Sequence, residues 1–206
     1  MKQEKKIIKK TKGKLGHDRF KELVHYVCSQ CSEAPEKLGA TKLNKTLWYV
    51  DTIAYCKYGK SISGEIAYIK RDLGPVPKRI LPILRKLVTE KKLIVNTVDY
   101  FGYSKRDYIT LKQADSTIFS DEEQQLINKI VKLVCDEHTA GSISELSHDL
   151  IWKAAELGEE IPIYAVLAST SGNIKKKHLN WADKVIEARI ERSKSQKKVP
   201  KQHKAA

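Results

Sequence analysis

Between Asp18 and Glu33 the apolar residues Phe20, Leu23, Val24, Val27 and Cys31 recur three and four positions apart. That spacing puts them on one side of a helix and predicts an amphipathic segment that Ala34-Pro35 ends. A second helix is expected from Thr41 as its N-cap, with Leu43, Leu47, Val50 and Ala54 on the inner face and Gly59 as its stop. Residues Glu65 to Asp72 read as a short helical or irregular piece. Two prolines in Gly74-Pro75-Val76-Pro77 then point to a turn.

A third helix is predicted over Pro77 to Lys91, with Ile80, Leu84, Leu87 and Val88 inward and a bend near Pro82. Lys92–Val98 and Arg106–Leu111 are rich in β-branched and aromatic residues around a turn with Asp99, Gly102 and Ser104, the pattern of a β-hairpin. Ser120 with Glu123 forms a capping box for a helix to Glu137, and Ser142 with Glu145 is read as opening another to Leu157. Trp181, Val185, Ile186 and Ile190 mark a C-terminal helix within 169–192. The expectation is a mainly α fold, a compact helical domain of about six to seven helices with one small β-hairpin. One domain over residues 15–168 accounts for the pattern, since no internal repeat or sustained heptad is present.

Charge sharpens this picture. The formal net charge is +14, but residues 1–14 and 189–206 each contribute +6, leaving the body at +2. A dedicated DNA-binding domain carries its positive charge on the folded surface that faces phosphate. The tails 1–14 and 193–206 are therefore read as basic, disordered extensions around a nearly neutral body. With no secretory signal and no apolar run long enough to span a bilayer, a cytoplasmic protein without a membrane partner is expected.

Of the cysteines, Cys28 and Cys31 form a CxxC, but no second pair follows at zinc-ligand spacing, so both are assigned to core packing and no metal is expected. His148-Asp149 beside Trp152, one turn after Glu145, could form an acid–base group. The short polar residues around it equally suit helix capping. Common phosphate-loop, dinucleotide, metallopeptidase and nucleophile-elbow patterns are missing, so neither catalytic residues nor a cofactor are assigned.

Two surfaces could bind. The helix before the hairpin resembles the end of a winged helix, with Lys78, Arg79, Arg85, Lys86, Lys105 and Arg106 placed for phosphate. The same charges suit an ordinary solvated face. Tyr100, Phe101 and Tyr103 fall at the predicted hairpin tip, where little core is available, and with Arg79, Lys105 and Arg106 they are the candidate protein-partner contacts.

Four clusters, in order, carry a family resemblance. They are Lys42-Leu43-Asn44-Lys45-Thr46-Leu47-Trp48-Tyr49-Val50-Asp51, Gly59-Lys60-Ser61-Ile62-Ser63-Gly64, Gly74-Pro75-Val76, and Ile143-Ser144-Glu145-Leu146-Ser147-His148 with Trp152 and Ile161-Pro162. Together they resemble the Panacea domain of SocA-like antitoxins, over about residues 18 to 167. Trp48 and Ser63 depart mildly from the usual residues there. The resemblance implies a bacterial or phage type II antitoxin that neutralises a cognate protein toxin by direct contact. Its members pair with very different toxins, among them small alarmone synthetase-like enzymes, and one lineage acts as a proteolytic adaptor. Some carry a separate DNA-binding domain, for which this chain has little room. Lys42, Asp51, Gly74, Pro75, Val76, His148 and Trp152 carry over as structural or binding residues. A winged-helix DNA-binding regulator is the alternative reading.

Overall fold

The computed structural model describes residues 19–170, and the readings of the two tails and the C-terminal helix lie outside them. Helix α1 covers 19–30, and its predicted stripe is buried: Phe20, Leu23, Val24 and Val27 are fully covered, joined by Cys28 and Cys31. Arg19 ties its start to the rest of the chain. The guanidinium donates to the carbonyls of Ile62 and Ile118, both at 2.7 Å, and pairs with Glu123 at 2.5 Å.

After a 3-10 turn at Pro35–Lys37, helix α2 runs over Gly39–Tyr58. It begins before Thr41, which lies inside it, and its N-cap Leu38 makes no side-chain cap. Pro35 and the tight turn start the helix, so no capping hydroxyl is needed. Gly59 ends it in the left-handed conformation, φ 71°, as expected of a glycine stop. α2 packs against β2, β4, α4 and α5 as they are defined below, and it therefore buries polar Lys45, Thr46, Asp51 and Thr52 alongside Leu43, Leu47, Trp48 and Val50.

The segment expected to be helical or irregular is strand β1 (Ala67–Arg71), and the expected turn at the prolines is strand β2 (Gly74–Pro77). β1 is central in an antiparallel sheet of order β2-β1-β5, where β5 is Glu160–Pro162. Tyr68 pairs with Pro77 on one side and Ile161 on the other. β2 has a neighbour on one side only. Alternate positions of an edge strand point their N–H groups away from the ladder, so Pro75 and Pro77 cost no ladder bond.

Helix α3 (Ile80–Thr89) is shorter than predicted, with Pro82 in its first turn. It buries Ile80, Ile83, Leu84 and Leu87, whereas Val88 is exposed; the stripe turns with the helix so that Ile83 takes the place assigned to Val88. The hairpin forms as predicted but extends further toward its tip, with β3 at Leu93–Tyr100 and β4 at Tyr103–Thr110. Leu93 and Tyr108 fasten its base in the core.

Helix α4 (Asp121–Lys132) carries the predicted Ser120–Glu123 capping box and ends in a π turn over Leu133–Glu137. The next capping box is made by Thr139 and Ser142, three residues ahead of the pair the sequence suggested. It opens α5 (Ala140–Ser147), and the expected single helix to Leu157 is broken at His148. Asp149 then caps a separate α6 (Leu150–Ala154), because its side chain accepts the N–H of Trp152. After β5, a 3-10 turn (Ile163–Ala165) leads into α7 (Val166–Thr170).

Candidate functional site

The family-like residues gather where α2, the sheet and α5–α6 meet. Asp51 of α2 is fully buried and accepts three hydrogen bonds, from the Ser63 N–H at 2.8 Å, the Ser63 hydroxyl, and the Tyr68 hydroxyl at 2.7 Å. Burial pushes its carboxyl up to about 6 against the pull of those donors. The bonds join α2 to the loop after it and to the central strand, so Asp51 positions the sheet.

One and a half turns earlier, Lys45 has its whole side chain in the interior, and its ammonium donates to the Leu73 carbonyl. Desolvation lowers its pKa to about 8. The approach depends on Gly74, at φ 111°: a Cβ there would overlap the ammonium and stand 2.5 Å from the Ser147 Oγ. Gly74 is thus required by space and by backbone shape together. Pro75 and Val76 continue β2 beside it.

His148 closes α5 and lies against Trp152 of α6, the rings stacked at 3.8 Å and 12°. Trp152 donates from Nε1 to the Arg71 carbonyl at 3.1 Å, and the Lys70 ammonium stands 4.0 Å from its ring centre. Burial, and then the nearby Lys45 charge, hold the imidazole below its ordinary range, so it is neutral near pH 7. Asp149 is occupied as a helix cap and Glu145 is exposed, so the carboxylates suggested for acid–base work point elsewhere. His148 Nε2 and Ser144 Oγ are buried without partners among the described residues.

The hairpin tip forms a second group. Tyr100, Phe101 and Tyr103 are 54%, 85% and 76% exposed, and the first two rings meet edge to face at 4.9 Å. Phe101 (φ 52°) and Gly102 (φ 80°) are both left-handed, as a two-residue type I′ hairpin turn requires. Lys105 reaches back to the Glu36 carbonyl at 2.5 Å and to Asp107 at 2.7 Å, with its ammonium 5.5 Å from the Tyr100 ring centre. Arg106 is exposed on β4. Arg79 lies away from this tip, before α3, bound to Glu65. Lys42, in α2, donates to the Cys135 carbonyl at 3.1 Å.

Of the six basic residues suggested for phosphate, four face carboxylates. Lys78 pairs with Glu160 at 2.7 Å, Arg79 with Glu65, Lys86 with Glu90 at 4.0 Å and Lys105 with Asp107. Lys45 and Ser147 stand within the family-like clusters but are not among the residues carried over from them, and Tyr68 lies outside the clusters. A lysine inside a helix reads as solvent-facing, and only its place beside Leu43 and Leu47 hinted otherwise.

Among the described residues no helix is long and apolar enough to cross a membrane, and no three His, Cys, Asp or Glu side chains group as metal ligands. The family model for the antitoxin SocA-like Panacea domain matches residues 43–153. No curated protein and no solved structure matches the chain.

Proposed function

The chain belongs to the SocA-like Panacea antitoxin family, and from that premise we propose that it is the antitoxin of a cytoplasmic type II pair. It neutralises a cognate protein toxin, for which a small alarmone synthetase-like enzyme is one candidate class, by direct stoichiometric binding.

The observation that carries the reading is a division of labour. Asp51, Lys45, Gly74, Pro75 and Ser147, all within the family-like clusters, are buried and hold the fold. Tyr100, Phe101 and Tyr103, outside those clusters, are exposed on a projecting hairpin. Aromatic side chains bury much area with few rotatable bonds, which suits them to anchor an interface. A buried scaffold bearing an exposed aromatic tip can serve one particular partner. The toxin contact is assigned to this tip with Lys105 and Arg106, in an interface of roughly 1,600 Å². The ion pairs on Lys78, Arg79 and Lys86 leave the winged-helix reading without comparable support.

The test is co-expression with the product of the adjacent gene, scoring growth and co-purification. Rescue with a stable complex, and loss of both on joint replacement of Tyr100, Phe101 and Tyr103 by alanine, is the expected result. An adjacent toxin that the unaltered chain neither rescues nor binds overturns the reading.

A further inference from the structure

The CxxC of the sequence pairs differently in space. Cys31, just past α1, and Cys135, in the π turn that ends α4, have their sulfurs 3.5 Å apart although 104 residues separate them. Both are almost covered, at 7% and 8% exposure, but both line a half-open hollow of about 330 Å³ with Gln30, Lys37, Asn128 and Asp136. A small neutral oxidant can therefore reach them. Cys28 is wholly buried and Cys56 lies exposed elsewhere.

We propose that Cys31 and Cys135 form a peroxide-reactive dithiol, a modification site in which Cys135 is oxidised and Cys31 resolves it to an intramolecular disulfide. In the first step the Cys135 thiolate attacks one oxygen of hydrogen peroxide. An S–O bond forms, the O–O bond breaks, and hydroxide leaves and takes a proton to become water. The sulfur is oxidised by two electrons to a sulfenic acid. In the second step Cys31 gives up its proton and attacks that sulfur; an S–S bond forms, the S–O bond breaks, and a second water departs.

The assignment of roles follows from the surroundings. The hydrogen bond shared with Cys31, and the ammonium groups of Lys42 and Lys37, favour the thiolate at Cys135 against its burial and the charge of Asp136; Lys42 Nζ stands 3.1 Å from the Cys135 carbonyl. The same hydrogen bond, with burial, keeps Cys31 protonated until the sulfenic acid forms. Closing from 3.5 Å to a bond of about 2.05 Å asks for a sulfur displacement of about 1.5 Å.

The experiment uses the full chain carrying Cys56→Ser, which removes the exposed thiol, treated with a few equivalents of hydrogen peroxide. The expected product is a monomer lighter by two hydrogens, with a Cys31–Cys135 peptide in the digest and one free thiol, Cys28. In Cys31→Ser, or Cys31→Ala should the serine disturb folding, Cys135 is expected to stop at a sulfenic acid that a cyclic diketone traps. A Cys28–Cys31 link, disulfides between chains only, or thiol loss no faster than in the urea-unfolded chain would each overturn the proposal.

Discussion

The ammonium of Lys45 and the backbone of Gly74 occupy space that a single added methyl group would claim. Gly74→Ala is expected to cost about 3 kcal/mol or more, since it adds both an overlap and a strained φ of 111°. Chemical denaturation checks this, and adding Lys45→Ala should recover part of the loss by vacating the space. Lys45 also sets a pH dependence. Folded, it loses its proton near 8, whereas unfolded it keeps it to 10.5. Between those values the unfolded chain binds more protons, so this residue's contribution to stability rises with pH, by on the order of 2–3 kcal/mol. The stability of the protein relative to its Lys45→Met variant should therefore grow from pH 7 to pH 10. Parallel urea midpoints across that range would refute it. His148 titrates below this window and does not interfere.

At the scale of elements, the toxin contact proposed at the hairpin turn allows stability and recognition to be read apart. Phe101 holds a left-handed φ of 52° with its ring 85% exposed. Phe101→Gly should raise stability by about 0.4–1 kcal/mol by relieving the backbone, while weakening toxin binding severalfold. Calorimetric melting and binding isotherms on the same variant read the two effects apart. Ser120→Ala should cost about 1 kcal/mol through the lost capping box, seen as a lower midpoint in thermal melts. These elements were legible because their signals are local: a stripe at three and four for α1, a serine three residues before a glutamate for α4, and two runs rich in β-branched and aromatic residues around a turn for the hairpin. β1 was not legible, because its partner β5 lies about ninety residues further on and its other neighbour contains two prolines. Gly74, His148 and Trp152 of the motif cluster could be named in advance. The neighbours that give them meaning, Lys45 and Ser147, meet them only through that same long-range sheet and the break between α5 and α6.

For the molecule as a whole, the uneven charge separates two kinds of attraction. The segments at the ends carry +12 of the +14, and four of the six body side chains suggested for phosphate are paired with carboxylates. Removing 1–14 and 193–206 should leave the folded core and toxin affinity at high salt nearly unchanged. Non-specific DNA binding should fall sharply, with a shallower dependence on salt concentration. Fluorescence titrations with unrelated duplex DNA at two ionic strengths test this. An unaltered salt slope would mean that the body supplies the phosphate contacts.

The placement of β5 also has a consequence for how the protein is made. The central strand leaves the ribosome long before residues 160–162, which it needs as its second neighbour. At synthesis rates of about 5–20 residues per second, several seconds pass with one flank of β1 open. During that interval the prolines of β2 guard only the opposite edge, so every nascent copy has a period of vulnerability to chaperones and proteases. Chains released early, before residue 160, would carry that open flank permanently and be cleared, so only finished copies would accumulate.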